Sequence, residues 1–307
     1  MVTIVICYRP GTSEMLDVCL SSLQRHTKQE VACVVATTGV DDGLEGLQEK
    51  HMFTVIEVAV SAEPWTRIHG NILDKIIPAE ITTEFVLTLD SDCFPIADGW
   101  LQNLLDMTTE ARLVGILHPW APPPEGMAKN KLELRIRSQH CWNNTHVACQ
   151  MLRLADYKEL QESCEVNYAG GDDTGLLIPL RAKEKGWKIA GLMPTRCPLP
   201  ASSYDVREGM DIEQSFNPEH NRTHSVVYGD SVCHVGSYTL MGCGEKKWDS
   251  EHFGWAIERM LGESGAEFLL EDRLTHKYRF DEEEEVAERK MNQVLGISPD
   301  GRNLRQS

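Results

Sequence analysis

Nowhere in this 307-residue chain do about 18 apolar residues run together, so no segment reads as a membrane span. Basic residues are in short supply: 30 Lys+Arg stand against 47 Asp+Glu, a net charge of −17. That balance argues against non-specific attachment to nucleic acid or an anionic membrane, although a local basic groove remains compatible with it. The opening MVTIVICYRP has an apolar run but neither a basic region before it nor a small-residue cleavage site, so it reads as a first strand. No CxxC occurs. The ten cysteines are scattered, several inside apolar runs such as ICY and VACVV, where Cys acts as a small core residue. With no secretion signal, this usage points to a reduced, cytoplasmic setting rather than a disulfide framework. HCWNNTHVAC (140–149) gathers two His and two Cys, but at a spacing that fits no common structural zinc site. NNT at 143–145 and NRT at 221–223 match glycosylation sequons that a cytoplasmic chain would not use. No internal repeat is present.

The first half alternates strand and helix patterns. VTIVICY (2–8), VACVVATT (31–38), FTVIEVAV (53–60), EFVLTLD (84–90) and LVGILHPW (113–120) read as strands. Between them MLDVCLSSLQRH (15–26), RIHGNILDKII (67–77) and GWLQNLLDM (99–107) carry apolar residues at helical spacing, while TGVDDG reads as a loop. Strands separated by such helices predict βαβ units, an α/β fold with a mostly parallel central sheet flanked by helices. The second half is less regular. HVACQMLRL (146–154) resembles a strand entering the helix ADYKELQES, and GGDDTGLLIPLRAKEKGWKIAGL (170–192) a helix followed by a strand after Gly186. Residues 194–230 show no sustained periodicity, and from 245 the pattern is helical, with a solvated DEEEE run at 281–285.

Chemistry concentrates in LTLDSDCFP (87–95), where a hydrophobic strand ends on Asp90 and Asp92. In parallel α/β sheets ligands bind beyond the carboxyl ends of the strands. Two carboxylates at i and i+2 can decorate a turn, or they can hold one hard cation. Mg²⁺ or Mn²⁺, which takes oxygen ligands and shares its site with substrate phosphates, suits the second reading.

The order of segments resembles the family 2 glycosyltransferases, which have the GT-A fold. VTIVICYRP…LDVCLSSLQRHT resembles that family's first strand, loop and helix. RIHGNILDKII followed by EFVLTLDSDCFPIADGWLQNLL resembles its "arN.g…LDsD..p.pgwL" region. GGDDTGLLIPLRAKEKGWKI looks like its "gEDtdl..rl...Gyki" segment, and SVCHVGS matches its late HxG. The likeness covers residues 1–240 in order. It implies a glycosyltransferase domain over 1–244, with a nucleotide-sugar half (1–112) and an acceptor half (113–244); the likeness does not cover the region after 245, whose helical pattern marks 245–307 as a C-terminal extension. It further implies that Asp90, Asp92 and His234 hold Mn²⁺ or Mg²⁺ against the diphosphate of a nucleotide-sugar. In an inverting reaction Asp173, or its neighbour Asp172, would deprotonate the acceptor hydroxyl, while a retaining one needs no such base. Tyr8, Arg9, Arg67 and Asn71 would contact base, ribose and diphosphate.

The chain departs from the family where a nucleobase-reading acid is expected after strand two. Thr37 or Thr38 stands there, and Asp41 and Asp42 are displaced downstream. A UDP-sugar is the family default, with GDP- and dTDP-sugars left open. The acceptor is a glycan or saccharide, or, in the manner of bacteriophage enzymes, hydroxymethylated pyrimidines in DNA. Lys129, Lys131, Arg135 and Arg137 form the one concentrated basic stretch that would serve such a nucleic acid. The setting is the cytoplasm of a bacterium or a virus-infected cell. A nucleotidyltransferase and a non-catalytic sugar-nucleotide-binding protein are the readings from other classes. The nucleotidyltransferase is disfavoured by the single glycine of CYRPGTSEM.

Overall fold

The computed structural model describes residues 1–60, 65–118, 144–160, 164, 174–175, 177–196 and 224–236. These belong to one compact unit, Met1–Leu240. The expected extension over 245–307, the basic stretch at 129–137 and most of 194–230 lie outside them.

Seven strands form the main sheet: β1 (Val2–Tyr8), β2 (Val31–Thr37), β3 (Thr54–Glu57), β4 (Phe85–Asp90), β6 (Leu113–His118), β7 (Asn144–Arg153) and β8 (Ile189–Leu192). Their spatial order is β3-β2-β1-β4-β7-β6-β8. All neighbours pair in parallel except those of β7, which runs antiparallel to both β4 and β6. The α/β expectation with a mostly parallel sheet is borne out. Strand order proceeds outward from β1 through β2 to β3, then returns to place β4 on the other side of β1. The switch point therefore lies between β1 and β4, where such sheets open a crevice at their carboxyl ends.

Helices cover the sheet because both its faces are apolar. Ile4 and Ile6 are 1% and 0% exposed on one face, and Val5 and Cys7 are buried on the other. Val5 and Cys7 share a core with Ile72, Leu73, Ile76 and Ile77 of α3 (Trp65–Glu80). Tyr157 and Leu160 of α5 (Leu154–Leu160), and Ile178 and Ala182 of α6 (Leu177–Glu184), join it. Helix α1 (Ser13–His26) buries Leu16, Cys19, Leu20 and Leu23, and α4 (Trp100–Met107) buries Trp100, Leu101 and Leu104. The expected strand at 53–60 shortens to Thr54–Glu57. A helix the sequence reading did not expect, α2 (Asp42–Lys50), fills the stretch after TGVD. Its two glycines lower helix propensity by about 1 kcal/mol each. Burial of Leu44 and Leu47, and capping of the Leu44 N–H by Asp41, offset that cost.

A second, wholly antiparallel sheet sits at the end of β4. Its order is β5-β11-β10-β9, comprising β5 (Cys93–Pro95), β9 (Pro194–Arg196), β10 (His224–Tyr228) and β11 (Val232–Gly236). The β10–β11 turn passes through Gly229 and Asp230, both with left-handed φ (54° and 51°). Glycine adopts that region freely, and Asp is among the few other residues that tolerate it. Strand β5 begins one residue after Asp92, and α1 packs against it. Cys19 Sγ donates to the Cys93 carbonyl at 3.3 Å, and Ser22 Oγ to that of Pro95.

Candidate metal centre

Asp90 is the last residue of β4, opposite Cys7 of β1 in the pairing register, and so stands at the switch point. The chain turns through Ser91 and Asp92 into β5. There the pairing of Cys93 with His234, and a 2.8 Å hydrogen bond from the Val235 N–H to the Asp92 carbonyl, bring β11 alongside. One ligand atom from each of Asp90, Asp92 and His234 lies within 4.8 Å of the others. Among the described residues this is the one group of three such side chains close enough to share an ion. Asp92 and His234 are 3% and 6% exposed, and His234 Nε2 stands 3.7 Å from Asp92 Oδ1.

Acidic clusters are common on surfaces, but here Asp92 and His234 are buried and Asp90 is half-buried. Two carboxylates held close together with much of their hydration removed repel each other, a cost that a compensating charge offsets. Asp90 Oδ1 is buried and accepts no hydrogen bond, although His69 Nε2 of α3 approaches to 3.3 Å. The pair stands at ion-pair distance without forming a hydrogen bond. Two carboxylates and an imidazole around an unsatisfied oxygen fit a divalent cation of the Mn²⁺ or Mg²⁺ kind.

The other expected site residues fall differently. Tyr8 is 0% exposed, and its hydroxyl donates to both Asp41 oxygens, at 2.9 and 2.8 Å. Burial first, then Asp41, pushes that hydroxyl above its ordinary pKa, so it remains a donor. Tyr8, expected to contact the donor, presents a fully buried ring and a hydroxyl engaged with Asp41. Asp41 also accepts from the Gly11 N–H at 2.7 Å and the Leu44 N–H at 2.8 Å. Burial alone would raise its pKa, but these donors hold the carboxyl below its usual range. Asp41 is thus committed to tying the loop after β1 to the start of α2. Thr37 Oγ1 donates to the Gly39 carbonyl, and Thr38 is half-buried beside it. Arg9 directly follows β1 and is half-buried, as is Asn71 in α3. The Arg67 side chain, and Asp172 and Asp173 entirely, lie outside the described residues. Thr174 and Gly175, next in the chain, are buried, and a Cβ at Gly175 would meet Val147 of β7 at 2.8 Å.

His69 escaped the sequence reading, and His146 was weighed there only within the zinc-like spacing of HCWNNTHVAC. His69 sits inside RIHGN, two residues from each of the residues singled out there. His146, on β7, lies with its ring centroid 5.5 Å from that of His234, and its Nδ1 accepts the Ala148 N–H. The nearness of His146 to His234 joins strands of two different sheets, which no local pattern marks. The seven described cysteines are free thiols, and burial pushes those of Cys7, Cys19 and Cys93 well above the ordinary range, which makes them inert.

No family model matches the sequence, and no curated protein matches it. Among solved structures it is similar to the mannosyltransferase PcManGT from Pyrobaculum calidifontis, in complex with GDP-Man and Mn²⁺ (13% identity, TM-score 0.43, 62% of this chain and 54% of that one). It is also similar to S. aureus TarS (16% identity, TM-score 0.42, 62% and 35%) and to TarS 1–349 (18% identity, TM-score 0.42, 62% and 58%). The likeness thus spans between about a third and three-fifths of those chains. No described helix is long and apolar enough to cross a membrane.

Proposed function

We propose that the chain is a metal-dependent glycosyltransferase of the GT-A type, moving a sugar from a nucleotide-sugar, a UDP-sugar by preference, to an acceptor hydroxyl of a glycan or saccharide. The observation that carries this reading is the Asp90–Asp92–His234 group at the β1/β4 switch point, with Asp92 and His234 buried, Asp90 half-buried and its Oδ1 left unsatisfied. Those three side chains would hold the cation. A divalent ion there supplies Lewis acidity, neutralising charge on the departing nucleoside diphosphate. Arg9, Thr38, Arg67 and Asn71 are the candidates to seat base, ribose and diphosphate. Asp173, with Asp172 as the alternative, takes the proton as the acceptor oxygen attacks the anomeric carbon opposite the leaving group.

Thermal unfolding with UDP-, GDP- and dTDP-sugars, with and without Mn²⁺, tests the binding half, because only what the native state binds raises Tm. Release of nucleotide from the donor tests the chemistry. The reading expects Asp92→Asn to lose the metal response and turnover together. Asp173→Asn should keep the Tm shift and lose turnover. Absence of any shift with all three nucleotides and Mn²⁺ would end the proposal.

A further inference from the structure

The three candidate ligands are not equally supported. Asp92 and His234 are locked to each other's strands by the β5–β11 ladder, through the Val235 N–H and the Cys93–His234 pairing. Asp90 lies outside that ladder, at the last rung of β4 on β1. Its carboxylate needs its direction set by another segment. Among the described side chains, the cationic or N–H-bearing group at ion-pair distance is His69, its Nε2 3.3 Å from Asp90 Oδ1. His69 is 8% exposed, and one turn further along α3 Ile72 and Leu73 are both 0% exposed in the core shared with β1. The helix is anchored by that packing, and the imidazole has little room to leave.

We propose that His69 is a positioning residue for Asp90: held by α3, its imidazole fixes how the β4-terminal carboxylate faces Asp92 and His234, and so sets the affinity of the group for a divalent cation. It acts through Asp90 rather than as a fourth ligand, since its nitrogens are not within the 4.8 Å grouping of the other three. Partners of this kind around a metal ligand change metal affinity by about 10- to 100-fold when removed. The inference rests on the reading of this cluster as a cation site.

The test is direct Mn²⁺ titration of the full chain without nucleotide, reading free Mn²⁺ by electron paramagnetic resonance. Wild type is compared with His69→Ala, His69→Gln and, as the loss-of-ligand reference, Asp92→Asn, with circular dichroism establishing the fold of each. His69→Ala should raise the Mn²⁺ Kd by about tenfold or more. His69→Gln, which keeps an N–H-bearing group beside the carboxylate, should recover most of the loss. If the alanine variant does not fold, His69→Leu fills the volume without an N–H and takes its place. An unchanged Kd in the folded Ala or Leu variant overturns the inference alone. So does equal weakening in the Gln variant, which would assign the effect to packing. Wild type failing to bind Mn²⁺ overturns the inference together with the cation reading beneath it.

Discussion

Asp17 offers the sharpest test of how α1 is tied to the end of α2, because its environment predicts both a magnitude and a pH window. It sits on the α1 face toward α2, accepting from Lys50 Nζ at 2.9 and 3.0 Å and facing His51 Nε2 at 2.7 Å. Burial raises its pKa, but the His51 and Lys50 hydrogen bonds and charges outweigh that and lower it from 3.8 to about 2. At 1.36 kcal/mol per unit the shift corresponds to about 2 kcal/mol. Lys50 is 56% exposed and its share is screened by solvent, so Asp17→Asn should cost between about 1 and 2 kcal/mol. The folded-state pKa is depressed. The contribution is therefore complete above the unfolded pKa near 4 and is lost as pH falls toward 2. Urea unfolding of wild type and Asp17→Asn at pH 7, 5, 4 and 3 measures it. A constant difference from pH 7 to 5, shrinking by pH 3, is expected. A difference below about 0.5 kcal/mol at pH 7, or one that does not change with pH, refutes the reasoning.

Tyr8→Phe should lower unfolding stability by about 1–2 kcal/mol, the scale of a hydrogen bond to a charged group, and leave donor affinity nearly unchanged. A raised donor KM with unaltered stability would instead restore Tyr8 as a ligand contact. Gly191→Ala should destabilise by about 3 kcal/mol or more, or abolish expression of folded protein, because its Cβ would stand 2.0 Å from the Gly115 carbonyl oxygen across the β6–β8 ladder. Near-native urea stability would refute it. Gly46→Ala, in α2 with nothing within 4 Å of its Cβ, should stabilise by about 0.4–1 kcal/mol in the same assay.

What could be read from residues alone follows the range of the interactions that decide each element. The strand Val2–Tyr8 is buried at every position, so its continuous apolar run was sufficient. The helix holding Leu16, Cys19, Leu20 and Leu23 shows its period openly. Helix α2 did not, since its glycines outweigh its short apolar face until Asp41 caps it and Leu44 is packed. The two-aspartate strand end was legible because both residues lie within three positions. The commitment of Asp41 to Tyr8 was not, because it depends on a contact across 33 residues. β5 is three residues long and is defined only by β11, so no local pattern marks it.

That last dependence bears on how the site forms. Asp90 and Asp92 are delivered by β4 and the turn after it, a segment built on local βαβ units. His234 arrives only when β11 pairs with β5, closing a chain separation of more than a hundred residues at an entropic cost that grows slowly with loop length. Burial of Phe94, Val232, Cys233 and Val235, each at 3% exposure or less, supplies apolar stabilisation at the junction. β11 also lies against the Asp92 backbone, and Asp92 is 3% exposed, so the step that adds the imidazole helps to remove water from that acid. A cation bound there would therefore stabilise the joined sheets over the separated ones, by the linkage that ties any native-state ligand to the structure it requires.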